Sequence, residues 1–130
     1  MCLFSYNSTP TIATRNIKVY KVLWYNKDKG WTAPILGNYT YKKGINTSNS
    51  DDARLKVLMP ECLYSIGIGY LHSVKTKRQA KFILKQLNSA DPCGDYKIVK
   101  MFIPKGSKYF KSFDNKEYCS DKLLWHLFFF

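Results

Sequence analysis

Residues 73–87, SVKTKRQAKFILKQL, carry the one convincing helical pattern in the chain, and that fact restricts the fold more than any other. Ala80, Ile83, Leu84 and Leu87 recur at the spacings that put side chains on one face of an α-helix. Thr76 is followed three residues later by Gln79, a capping box that starts the helix at Thr76. Asn88 and Pro92 in NSADPCGD end it. Nearly everything else that is apolar alternates with period two or runs in short blocks, so the helix has a sheet to pack on. The expected fold is α+β: a single domain over residues 1–130, with a curved or partly barrelled, mainly antiparallel sheet and the helix on one face.

The strands follow from the alternation. IKVYKVLWY puts Ile17, Val19, Lys21 and Leu23 on one face and Lys18, Tyr20, Val22 and Trp24 on the other. NKDKG, 26–30, is a turn, and WTAPILGNYTYKKG holds one or two extended pieces interrupted by Pro34 and Gly37. LKVLMPECLYS is a short strand ended by Pro60. SIGIGYLHSV, 65–74, alternates, with Gly67 and Gly69 on one face where a backbone or ligand comes close. YKIVKMFIP, 96–104, is a nearly continuous apolar run, expected to be central and closed by the turn PKG. SKYFKSFDNKEY is a basic, aromatic strand or loop, and CSDKLLWHLFFF is a last strand. The first fifteen residues and the polar stretch 45–54, INTSNSDDAR, are expected to be an irregular lead-in and a surface loop.

A chain of 130 residues is long enough to bury a core without metal or disulfide staples. Its net charge of +12 attracts polyanions: nucleic acid, nucleotides or an acidic protein face. The charge is concentrated. Between Cys62 and Phe113 there are ten Lys or Arg and two acids, Asp91 and Asp95, both in one loop. The four cysteines are far apart, with no C-x-x-C pair and no secretory segment after Met1, which implies a reduced, cytoplasmic setting. No apolar run has the length of a membrane span; LLWHLFFF is short and broken by His126.

Helix N-termini favour anions, yet the first turn holds Lys77 and Arg78 with Lys75 just ahead. Together with the free N–H groups these cations make an anion site, extended along the helix by Lys81 and Lys85; a solvated basic turn is the plain alternative. A second cationic stretch places Lys97, Lys100, Lys105, Lys108 and Lys111 among Phe102, Tyr109, Phe110 and Phe113. Cations that neutralise phosphates and rings that stack on bases are the parts of a single-strand binder, although rings in strands also build cores. Catalytic and metal-ligating patterns are missing. His72 and His126 stand alone, Cys62, Cys93 and Cys119 lack ligand spacing, and Gly67 with Gly69 completes neither a dinucleotide fingerprint nor a P-loop. Removal of Met1 would leave Cys2 with a free amine beside its thiol, the arrangement of N-terminal nucleophile enzymes.

The order NIKVYKVL, YTYKKG, GIGYLHSV, helix, IVKMFIPKGSKYF and EYCSDKLL, over residues 16–124, resembles a group of small uncharacterised proteins of gut bacteria and their phages. The resemblance implies a bacterial or phage source, and a place in the host cytoplasm or the virion. VKMFIPKGSKYF followed by KEYCSDKLL is similar, more distantly, to the late strands of ADP-ribosyltransferases. That similarity implies Glu117 as the catalytic glutamate and Lys21 where the family carries Arg or His, with YLHSV in place of its Ser-Thr-Ser strand.

Three functions are therefore expected, in this order. The first is a non-enzymatic basic module, without metal or cofactor, binding an anionic partner through Lys75, Lys77, Arg78, Lys81, Lys85, Lys97, Lys100, Lys105 and Lys108. The second is a structural protein of an oligomer or virion using the aromatic C-terminus. The third is an ADP-ribosyltransferase-like fold with or without activity.

Overall fold

A computed structural model describes residues 3–5, 9–33, 39–48, 55–58, 63–66 and 70–126, with segments 3–5, 55–58 and 63–66 described by backbone alone. The strand-rich, antiparallel architecture with one helix agrees with the α+β expectation. Cys2, Pro34, Gly37, Pro60, Cys62, Gly67, Gly69 and Phe128 to Phe130 lie outside the described residues.

The centre is the pair β3 (Ile17–Asn26) and β9 (Tyr96–Ile103), antiparallel and in continuous register from Ile17 opposite Ile103 to Trp24 opposite Tyr96. The register sorts the two faces. Val19, Leu23, Val99, Met101 and Ile103 point into the main core, whereas Val22 and Ile98 lie on the other face, with Ala80, Ile83, Leu84 and Leu87 of α1 (Lys77–Ala90) packed over them. The helical stripe is thus the lid on the outer face of β3 and β9.

From β3 the sheet extends through β8 (Leu71–Val74), which meets it at Val74 opposite Tyr20, then β11 (Glu117–Ser120), β10 (Lys108–Lys111) and β2 (Thr11–Ile12). From β9 it extends through β12 (Lys122–Trp125) to β5 (Gly44–Thr47), while β4 (Gly30–Thr32) pairs with the end of β3. Only Asp121 separates β11 from β12, yet β11 pairs with β8 and β12 with β9. The bend at Asp121 therefore carries the chain from the β8 side of β3 to the β9 side, within a sheet whose strand order is open, from β2 to β5. Leu71, Tyr118, Leu123 and Trp125 complete the main core with the residues of β3 and β9. A second sheet is built from β1 (Leu3–Ser5), β7 (Leu63–Ile66) and β6 (Leu55–Leu58). Its β1 runs beside β11, whose outer face buries Cys119 next to Phe110.

Three expectations need correction. The lead-in contains β1 and β2, because these short segments are ordered by pairing with β7 and β10, far along the chain. The loop placed at 45–54 begins as strand, since Ile45 to Thr47 pair with β12. The alternation over 65–74 is shared by two strands, β7 and β8, in different sheets. The PKG turn is as expected: Gly106 holds φ +90°, a conformation costly for other residues, and the Ser107 N–H closes on the Pro104 carbonyl at 3.0 Å.

The helix starts where its box predicts. Thr76 is the N-cap, its hydroxyl accepting from the Gln79 N–H at 3.2 Å while Gln79 Oε1 accepts from the Thr76 N–H at 3.0 Å. Thr76→Ala is expected to cost about 1 kcal/mol in denaturant unfolding, because the cap loses its hydroxyl acceptor. A loss near zero would mean that water serves the exposed N–H groups equally well.

Candidate functional site

Lys75, Lys77, Arg78, Lys81 and Lys85 are all exposed, at the β8–α1 junction and along the outer side of the helix. No acid lies within Lys77–Ala90. The junction gains Lys116, whose carbonyl accepts from the Lys75 N–H at 2.9 Å. Lys100 borders this end: it faces Tyr20 on β3, and Tyr20 faces Val74 on β8, just ahead of Lys75. Its Nζ lies 5.9 Å from the centre of the Phe102 ring.

One residue on this face was missing from the candidate set. Phe82 points away from the helical stripe and is 63% exposed, with Arg78 one turn before it and Lys85 one turn after. The signal was available in sequence: at 100° per residue Phe82 falls almost opposite Ala80, Ile83, Leu84 and Leu87. Beside it, Lys81, Leu84, Lys85, Asn88 and Ser89 border a shallow, wide-open groove on the helix surface. The helix face therefore combines cations, amide and hydroxyl groups, and an uncovered ring.

The remaining candidates are elsewhere. Lys105 sits on the turn after β9, its N–H donating to Asn16 Oδ1 at 2.9 Å. Lys108 and Lys111 are exposed on β10, and the Lys108 N–H donates to Asp121 Oδ1 at 3.0 Å. Of the rings interleaved with them, Phe110 is buried and Phe113 is exposed. Lys97 is drawn inward. It pairs with Leu23 on the core face, and its Nζ lies between two indoles, 4.2 Å from the centre of Trp31 and 4.7 Å from that of Trp125. Burial, then Lys43, lowers its pKa, against an opposing pull from Asp95. Such contacts hold an ammonium by the negative faces of the rings, so this charge is engaged within the fold.

Lys21 is also on the core face and is buried. Its ammonium donates to the His72 carbonyl and lies 5.0 Å from the centre of the Tyr41 ring. Desolvation lowers its pKa to about 8. Glu117, on β11, pairs with Val74, so Lys21, His72 and Glu117 occupy the adjacent strands β3, β8 and β11. Burial, then Asp114, raises the Glu117 pKa. Cys119 is buried and its thiol is pushed well up by desolvation, which suppresses thiolate chemistry. Among the described residues no group of three or more His, Cys, Asp or Glu is placed to hold a metal ion, and no helix is long and apolar enough to cross a membrane.

No family model, curated protein or solved structure matches the chain.

Proposed function

We propose that this domain is a non-enzymatic module that binds an anionic polymer, nucleic acid foremost, through the outer face of α1. One observation carries the reading: Lys77, Arg78, Lys81 and Lys85 share an acid-free helix whose opposite face is packed on the sheet. Lys75 and Lys100 extend the face at its N-terminal end. The packed helix fixes the spacing of these cations along one face, so a polyanion that lies on it releases its condensed counterions on binding. The resemblance to proteins of gut bacteria and their phages favours a bacterial or phage setting, cytoplasmic or virion-associated, where nucleic acid is abundant.

The test is the affinity for a labelled oligonucleotide as a function of salt. Replacing both Lys81 and Lys85 by Glu is expected to weaken binding at least about tenfold at low salt and to flatten the plot of log affinity against log salt by one to two units, about 0.7–0.9 per lost phosphate contact. Absence of binding at low salt, or an affinity independent of salt, rules the reading out.

A further inference from the structure

We infer that the nucleic acid bound by the α1 face is single-stranded, with Phe82 as the platform on which one unpaired base stacks; this rests on the polyanion reading above. Phe82 is 63% exposed, and among the described residues it has no ring or cation partner of its own. The other large apolar side chains of the helix, Ile83, Leu84 and Leu87, are packed against the sheet. The exposure of this ring is thus a property of its position on the helix and is not shared with a frayed end.

Its surroundings select the partner. Arg78 and Lys85 flank the ring along the helix, about one turn to each side. Lys85 also borders the shallow groove lined by Lys81, Leu84, Asn88 and Ser89. A phosphodiester chain following the groove can pair with Lys81 and Lys85 and accept hydrogen bonds from Asn88, while a base turned toward Phe82 covers the ring. In a duplex the base faces are already stacked on one another and only their edges are offered. An unpaired base presents a face, and every base has one, so the contact favours single strands while tolerating many sequences. An acidic peptide could neutralise the cations, and an apolar residue on it could cover the ring. The combination of two lysines bordering a shallow groove with one isolated platform fits the alternation of phosphate and planar base better.

Binding of a labelled single strand of mixed sequence is compared with binding of the same strand annealed to its complement, using the full chain and Phe82→Ala and Phe82→Trp variants. The expected result is tighter binding of the single strand, a loss of about tenfold for Phe82→Ala on that strand with the duplex affected little, and recovery with Phe82→Trp. Because the side chain lies on the surface, thermal unfolding of both variants is expected to match the parent, which separates loss of the platform from loss of the fold. If Phe82→Ala weakens both nucleic acids equally or neither, while the salt slope persists, this inference fails and the polyanion reading stands. If a Glu-rich peptide containing Leu and Phe displaces the strand at lower concentration than unlabelled strand does, the occupant is a protein and the inference is overturned. If no nucleic acid binds, both fail.

Discussion

Lys21→Met is expected to be more stable than the parent at pH 7, and the difference should shrink by about 3 kcal/mol as pH rises to 10.5. Lys21 is buried with a pKa of about 8 in the fold, against 10.5 for the free side chain. Below pH 8 both states carry the proton, and the folded state bears the whole cost of a charged amine in the core. Between 8 and 10.5 the unfolded chain holds more protons than the folded one, so the parent gains stability as pH rises. The opposing term is the hydrogen bond from the ammonium to the His72 carbonyl, which for a charged donor is worth about 1.5–3 kcal/mol, below the roughly 3.4 kcal/mol that the lowered pKa represents. Cys119 and Tyr41 titrate in the opposite sense. Burial raises their pKa values, so their ionisation in the unfolded chain removes stability at high pH. Both groups are present in both proteins and cancel in the difference. Urea unfolding of the pair at a series of pH values measures it. A difference that does not change with pH would show that the amine is hydrated in the fold.

What was legible in the sequence is what depends on local periodicity. The alternation from Ile17 to Trp24 placed Lys21 on the same face as Val19 and Leu23, where it is found. The capping box located the start of α1 to the residue, because both of its hydrogen bonds are local. By contrast, β1, β2 and β5 are too short for a pattern and exist through partners distant in the chain. The clamp on Lys97 was hidden for the same reason. Trp31 and Trp125 lie on β4 and β12, and the pairing of β12 with β9 is between segments distant in the chain. Phe82 was legible and passed over, since an aromatic off a helical stripe is informative when cations surround it.

The placement also changes what the net charge of +12 means. Lys21 and Lys97 lie on the core face, one desolvated and the other held between indoles, and they add little to the field a partner meets at the helix. Lys105, Lys108 and Lys111 are exposed at a turn and on β10. The proposed interface thus depends on local density along α1, and substitutions at Lys105 or Lys108 should perturb it less than substitutions at Lys81 or Lys85. Strand order makes the difference: β11 and β8 lie between β10 and β3, on which α1 packs, and exposed charges separated by more than about 8–10 Å interact weakly at ordinary salt.

Asn46 marks the other place where composition misled, and it supports the second large expected effect. In sequence it belongs to a polar run read as a surface loop, yet its side chain is fully buried on β5. Its Oδ1 accepts from the Lys42 N–H at 2.9 Å, and its Nδ2 donates to the carbonyls of Lys42 at 2.9 Å, Leu123 at 3.2 Å and Gly44 at 3.3 Å. One amide therefore satisfies the backbone turn before β5 and ties it to β12. Asn46→Ala leaves the Leu123 carbonyl without this partner in a buried place, and removes the partner of the part-buried groups of Lys42 and Gly44. The expected loss is about 2 kcal/mol, more than a single exposed hydrogen bond supplies, because one buried carbonyl is stranded and several part-buried bonds are lost with it. Asn46→Asp retains the acceptor but removes the donors and introduces a buried carboxylate. It should be at least as damaging at neutral pH and recover partly in acid, where protonation removes the charge. Denaturant unfolding gives the magnitude, and amide exchange at Lys42 locates it, since that N–H loses its acceptor in Asn46→Ala and keeps one in Asn46→Asp. A loss below about 0.5 kcal/mol for Asn46→Ala would place the residue with ordinary surface substitutions and remove it as the pin between β5 and β12.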